Sequence, residues 1–160
     1  MKISTCSYNG KGASMAPQPL PKSGDRNPRT MEEARMTVKY VESLFNPWNV
    51  DALVDGFTPD CVIRFCDLPE FTGQETLRKF FAARSQRQKN YMLVKTLKSL
   101  MNDMICNTWE GQWEDVVTGQ NMRGFGCEVW QMRGGKIAVW EGAMSATPVG
   151  SLGVMQSLLT

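Results

Sequence analysis

Between Trp109 and Ser145 bulky apolar side chains recur at every second position through three runs separated by turn residues, and this alternation constrains the fold more than any other feature of the chain. Successive strand side chains point to opposite faces, so Trp109, Gly111 and Trp113 share one face and Thr108, Glu110, Gln112 and Glu114 the other. In the second run, Met122 to Arg133, Glu128, Trp130 and Met132 fall together and Phe125, Cys127 and Val129 lie opposite. A tight Arg133-Gly134-Gly135 turn leads into the third run, Lys136 to Thr147. Here alternation groups Ile137, Val139, Glu141 and Ala143 against Ala138, Trp140 and Met144. The last two strands are thus apolar on both faces, which excludes a sheet with one wet side. Helices should cover one face and further protein, a second subunit, the other. Glu128 and Glu141 interrupt otherwise apolar stretches, and that anomaly is the main lead to a function.

Composition narrows the class. With 160 residues and 42% hydrophobic content the chain suits one domain with a proper core. Five cations against one anion give the segment before Thr30 a net +4, leaving −2 for the remainder of a chain whose formal charge is +2. A mildly acidic folded part argues against nucleic-acid binding. The five cysteines are odd in number and lack a Cys-x-x-Cys pair, which fits reduced thiols in the cytoplasm. Histidine is absent, so the usual metal sites lose their commonest ligand and histidine-based triads are excluded. Neither a metal nor a cofactor is expected. No apolar run approaches the ~20 residues of a membrane span, and Met1 to Ser14 lacks the core of a signal peptide.

Along the chain, residues 1–29 are rich in Ser, Gly, Pro and Lys and are expected to be a disordered tail. Thr30-Met31-Glu32-Glu33 has the pattern of a capping box, in which hydroxyl and carboxylate satisfy opposite amides at a helix start. Ala34, Val38, Val41, Leu44 and Phe45 then recur at helical spacing, and Pro47 ends the helix. Asn49 caps a short second helix, with Thr58-Pro59-Asp60 as the turn after it. Cys61 to Cys66 is a strand with Arg64 among apolar neighbours. Thr72-Gly73-Gln74-Glu75 is a second capping-box pattern, opening a third helix with Leu77, Phe80 and Phe81 inward. Its outer face carries Arg78, Lys79, Arg84, Arg87 and Lys89, which is the pattern of a solvated basic face. Tyr91 to Met101 is a strand, Asn102-Asp103 a hairpin turn, and residues 149–160 a short C-terminal tail. Helices followed by a meander imply an α+β domain over residues 30–148, a curved antiparallel sheet packed by about three N-terminal helices. Such a cone leaves a blind pocket for a small molecule.

Order and residues together resemble the nuclear transport factor 2-like superfamily, which includes the SnoaL-like polyketide cyclases, and resemble most closely a family of uncharacterised compact proteins from bacteria and fungi within it. The residues that carry this are Arg64, the Glu70-Phe71-Thr72-Gly73 stretch, Trp109-Glu110-Gly111-Gln112-Trp113, Arg123 to Trp130 with its Gly-x-Glu-x-Trp core, and Ala143, over about Glu32 to Pro148. The resemblance implies a cone-shaped, cystatin-like α+β fold, a homodimer through the outer sheet face, and a pocket that in many relatives does acid/base chemistry. Relatives tend to follow the Ala of the last strand with Ser-x-Asn-Asp, whereas Met144-Ser145-Ala146-Thr147 here lacks the amide and the carboxylate.

Glu128 is the first candidate for catalysis, because a carboxyl in apolar surroundings has its proton affinity raised toward the useful range. Its structural alternative is a pairing with Arg64 or Arg123. Glu141 follows the same logic and ranks below Glu128, because its strand is a candidate for the dimer contact. Arg64 offers a two-pronged hydrogen bond to an oxyanion, against an internal pairing with Glu70 or Glu128. Tyr91 offers a hydroxyl to polarise a carbonyl, against a buried tyrosine that only satisfies its own hydroxyl. Trp109, Trp113, Trp130, Phe125 and Glu70 are the candidates for lining the pocket. Cys61 and Cys127 could be nucleophiles only with a nearby base or cation, and the chain has no histidine to serve as that base. Three functions compete: a cofactor-free isomerase, cyclase or dehydratase acting on a small hydrophobic carbonyl compound, a non-catalytic ligand-binding dimer, and a protein-interaction module with a filled cone.

Overall fold

The computed structural model describes residues 26–153 and 156–159. Most of the expected N-terminal tail, and the segment read for a signal peptide, lie outside the described residues. Helix α1 (Met31–Ser43) starts as the sequence predicts: Thr30 Oγ1 accepts from the Glu33 amide, and the Glu33 carboxylate accepts from the Thr30 amide. Asn49 caps α2 (Val50–Asp55) by accepting from the Ala52 amide. Strand β1 (Phe57–Phe65), the two-residue β2 (Phe71–Thr72) and α3 (Gln74–Arg87) follow. The meander is β3 (Gln88–Met101), β4 (Met104–Asp115), β5 (Gln120–Arg133) and β6 (Lys136–Pro148), and a single 3-10 turn covers Gln156–Leu159.

The six strands form one curved, open sheet in the order β2-β1-β6-β5-β4-β3, antiparallel except where β1 runs parallel to β6. The helices pack on the concave face, burying Ala34, Val38, Leu53, Val54, Leu77 and Phe81 against Ile105, Trp113, Trp130 and Trp140. Ring meets glycine across the strands. A Cβ on Gly126 would lie 2.6 Å from Trp109 Nε1, one on Gly124 2.9 Å from Trp113 Cη2, and one on Gly142 2.8 Å from Phe65 Cδ2. These glycines let large aromatic rings lie flat against the sheet, and at the density of a protein interior no side chain could share that space.

Four expectations are corrected. Thr58, Pro59 and Asp60 are not a turn but part of β1. The second capping box does not form, because Thr72 is held in β2 opposite Val62 and the residue at the helix start is Gly73, whose φ of 84° suits a residue without a Cβ. Ile137 leaves its expected face: Met132 pairs with Ile137 but Gln131 with Val139, so Ala138 is an extra residue in β6 and the bulge turns Ile137 into the core beside Trp140. Arg84 is not on a solvated face but lies over core rings, as described below. Residues 26–29, expected in the tail, are tied to the domain: Asn27 Nδ2 donates to Asp103 Oδ1 and the Met132 carbonyl, and its Oδ1 accepts from the Gly135 amide.

Candidate functional site

Strands β3, β4 and β5 aim alternate residues at the concave face, and among these Lys95, Asn107 and Glu128 are polar and buried. Lys95 follows Tyr91 and Leu93 in phase, Asn107 precedes Trp109, and Glu128 precedes Trp130. Pairing places Asn107 opposite Glu128 and Lys95 opposite Trp109, so the polar groups converge. Lys95 Nζ donates to Glu128 Oε2 at 2.7 Å and reaches Asn107 Oδ1 at 3.4 Å, while Trp130 Nε1 donates to the same Glu128 oxygen at 2.9 Å. The ammonium also lies 5.2 Å from the centre of the Trp130 ring. Only 2% of the Lys95 side chain and 6% of the Glu128 side chain are exposed, so this ion pair is dry. Burial pushes the Lys95 amine below the usual lysine range, although the Glu128 carboxylate pulls it partly back.

Beside the pair is a hollow of about 10 Å³, room for about one water. It is lined by Phe45, Phe65, Arg84, Tyr91, Leu93, Lys95, Trp109, Glu128 and Trp140. Arg84 and Leu93 are the only partly exposed residues of this lining, which places the mouth between α3 and β3. The Arg84 guanidinium sits 5.6 to 6.0 Å from the ring centres of Trp48, Phe65, Phe80 and Tyr91. Arg84 Nε donates to Gln88 Oε1 and Nη2 to the Tyr91 hydroxyl at 3.4 Å. Among the described residues no carboxylate forms a salt bridge with it. Burial raises the Tyr91 hydroxyl above the usual phenol range, against the pull of Arg84, so Tyr91 remains a neutral donor.

The expected site residues divide into two groups. Glu128, Tyr91 and Trp109 reach the hollow. Trp130 holds Glu128 from behind, and Trp113 is core packed against Tyr91, with ring centres 5.6 Å apart. Arg64, Glu70 and Glu141 gather on the outer side, where Arg64 Nε donates to Glu70 at 2.7 Å and Nη1 to Glu141 at 2.8 Å. Phe125 is 63% exposed on that same outer face. These four therefore share no space with Glu128, because β1, β5 and β6 turn their intervening residues outward. The thiol of Cys61 is buried and pushed up by desolvation, away from the nucleophilic thiolate. Lys95, Asn107 and Arg84 were missed from sequence. The signals were there: Lys95 is in phase with Tyr91, Leu93 and Leu97, and Arg84 lies three residues after Phe81 and seven after Leu77 on the inner helical stripe. No group of three or more Cys, Asp or Glu suited to a metal ion occurs among the described residues.

Solved structures with the same fold include an epoxide hydrolase/cyclase-like enzyme, SalBIII, with a role in pyran ring formation in the polyether salinomycin. It is 13% identical, covering 73% of this chain and 96% of its own, with a TM-score of 0.65. A proposed isomerase from Bacillus subtilis is 10% identical over 73% and 90% of the two chains, with a TM-score of 0.63. A proposed polyketide cyclase from Xanthomonas campestris pv. campestris is 15% identical over 69% and 88%, also at 0.63. At such identities the likeness fixes the fold, which is the nuclear transport factor 2-like one, and not the chemistry. No curated protein matches the sequence. Residues 27–148 match the model of the family DUF1348, described as a protein of unknown function, and the chain belongs to that family.

Proposed function

From a chain of this family and fold, we propose a small-molecule pocket protein that moves a proton, without a cofactor, on a compact carbonyl compound. The observation that carries the reading is the Lys95–Glu128 pair, a charged couple held dry beside an open space. A carboxylate there accepts a proton from carbon next to a carbonyl, and the Lys95 ammonium that loses its partner is balanced by the enolate formed beside it. Arg84 and the neutral Tyr91 are the donors for the enolate oxygen. Returning the proton to another carbon completes an isomerisation, and expelling a leaving group completes a dehydration. Arg64 and Glu141, on the outer face, take no part in this scheme.

The experiment is exchange of carbon-bound hydrogen for solvent deuterium in a panel of small ketones and aldehydes, followed by NMR. Native protein should accelerate exchange for at least one compound, and Glu128→Gln should reduce that acceleration by roughly 10²- to 10⁴-fold. Equal exchange by both proteins, or none by either, overturns the reading.

The size of the hollow favours a second reading. Space for about one water is what a cone filled by its own side chains leaves, as in an interaction module. For either reading the proposed assembly is a homodimer through the outer face, where Met92, Val94 and Phe125 are each more than half exposed. Sedimentation equilibrium should give a dimer that Phe125→Glu dissociates; a native monomer would remove this part. The cytoplasm is the proposed location, in keeping with free Cys61, Cys66, Cys106 and Cys127. No helix among the described residues is long and apolar enough to cross a membrane.

A further inference from the structure

Several buried side-chain donors in and near the lining of the hollow lack a partner. Among the described residues, buried side-chain polar atoms without a hydrogen-bond partner are Trp48 Nε1, Asn107 Nδ2, Trp109 Nε1, Trp140 Nε1 and the Thr58 hydroxyl. The first four are N–H donors with no capacity to accept. Trp109 and Trp140 line the hollow, Asn107 touches Lys95, and the Trp48 ring lies against Arg84. A buried donor left unpaired costs about 1–3 kcal/mol, so an acceptor entering the hollow gains where it reaches the Trp109 or Trp140 indole. Charge points the same way. Lys95 and Glu128 cancel, which leaves the Arg84 guanidinium as a net positive charge at the mouth, held by aromatic faces and uncharged partners.

We propose that this hollow takes the head group of a small carboxylic acid bearing a carbonyl, with its carboxylate on the Arg84 guanidinium and within reach of the lining indoles, and its carbonyl oxygen turned toward the Lys95 ammonium. The inference rests on the pocket reading above and deepens it: the substrate becomes anionic, Arg84 takes its carboxylate, and Tyr91 and Lys95 are left as the donors for the enolate oxygen. Four features point to it: unpartnered donors in the lining, an arginine without a carboxylate, one dry ion pair and a small volume. Planar guanidinium groups recognise carboxylates by paired parallel hydrogen bonds, and the aromatic faces around Arg84 hold its plane without competing for those donors. A space for about one water admits a polar head group and not a ring, so the rest of the ligand extends outward past Arg84 and Leu93.

The test uses pyruvate as the anionic probe and acetone as its neutral counterpart, on the full chain labelled with ¹⁵N. Indole N–H signals of Trp109 and Trp140, assigned by Trp→Phe variants, should shift saturably with pyruvate and not with acetone at equal concentration. Arg84→Gln should weaken the pyruvate response at least about tenfold, and Arg84→Lys, which keeps the charge but loses the fork, should recover only part. Equal responses to the two probes, no response to either, or an unchanged pyruvate midpoint in a folded Arg84→Gln protein overturns the proposal. The comparison of probes in native protein decides the matter even where a variant does not fold. Pyruvate binding through Arg84 without deuterium exchange leaves this inference standing and removes the catalytic reading. Exchange on neutral ketones without any preference for pyruvate does the reverse.

Discussion

The two faces of the sheet each hold a cation among carboxylates, and their surroundings give them opposite meanings. On the concave side Lys95 meets Glu128 at 2.7 Å with almost no exposure. On the outer side Arg64 meets Glu70 and Glu141 at 2.7 and 2.8 Å, all three about half exposed. Distances are alike, so distance does not separate them. Water does. Outside, solvent screens the charges, Arg64 keeps a second carboxylate if it loses one, and the pairs add little. Inside, removing either partner strands the other in a medium that does not solvate it. That is why the inner pair is a candidate for chemistry and the outer cluster a surface latch between β1, β6 and the loop before β2.

The largest effect expected from breaking this contrast belongs to Glu128→Ala. It leaves the Lys95 ammonium buried and uncompensated, and should lower stability by about 3–5 kcal/mol in urea unfolding. Replacing both members, Lys95→Met with Glu128→Leu, should restore most of that loss, because an apolar pair of similar volume carries no desolvation penalty. A double variant no more stable than Glu128→Ala would contradict the dry pair.

A smaller, pH-dependent difference follows from the lowered Lys95 amine. Below its folded-state value both folded and unfolded chains hold the proton, and the burial cost is in force. Above the ordinary lysine value of 10.5 neither holds it. Between the two the unfolded chain binds the extra proton, so this residue makes stability rise with pH. The slope reaches at most about 1.4 kcal/mol per pH unit. The charges of Glu128, Arg84 and Glu42 act on the same amine and Tyr91 lines the same hollow, so the quantity to measure is the native protein minus Lys95→Met. That difference should climb through the alkaline range; a flat or falling difference would contradict burial of the charged amine. Smallest of all is Arg64→Ala, expected to change stability by about 1 kcal/mol or less and to leave deuterium exchange untouched. A loss comparable to that of Glu128→Ala would erase the distinction between the two faces.

Much of the scaffold was legible because alternation is a strong local signal. Trp109, Trp113, Glu128 and Trp130 fall on the face that the period-two pattern assigns them, and Thr30 and Asn49 cap helices as their side chains allow. Motifs failed where tertiary pairing overrode them. Thr72 belongs to β2 rather than to a capping box, and the bulge at Ala138, which no residue type announces, turns Ile137 inward. At the site the carboxylate was visible and its partner was not. Lysines and arginines are so often solvated that Arg84 was assigned to a basic outer face and Lys95 passed over, while their phase with Leu93 and Phe81 had already placed them inside. Arg64 drew attention for its apolar neighbours, yet in a strand the neighbours one residue away point to the opposite face.

The account depends on a charged pair kept away from water, and the Lys95 side chain reports on that directly. With ¹³C-labelled lysine and Lys95→Met for assignment, the Lys95 Cε resonance followed from pH 6 to 11 should titrate below the ordinary lysine value of 10.5, and Glu128→Gln, by removing the carboxylate, should lower it further. A Lys95 that titrates at or above 10.5 with the other lysines, and does not respond to Glu128→Gln, would place the pair in solvent and contradict the account.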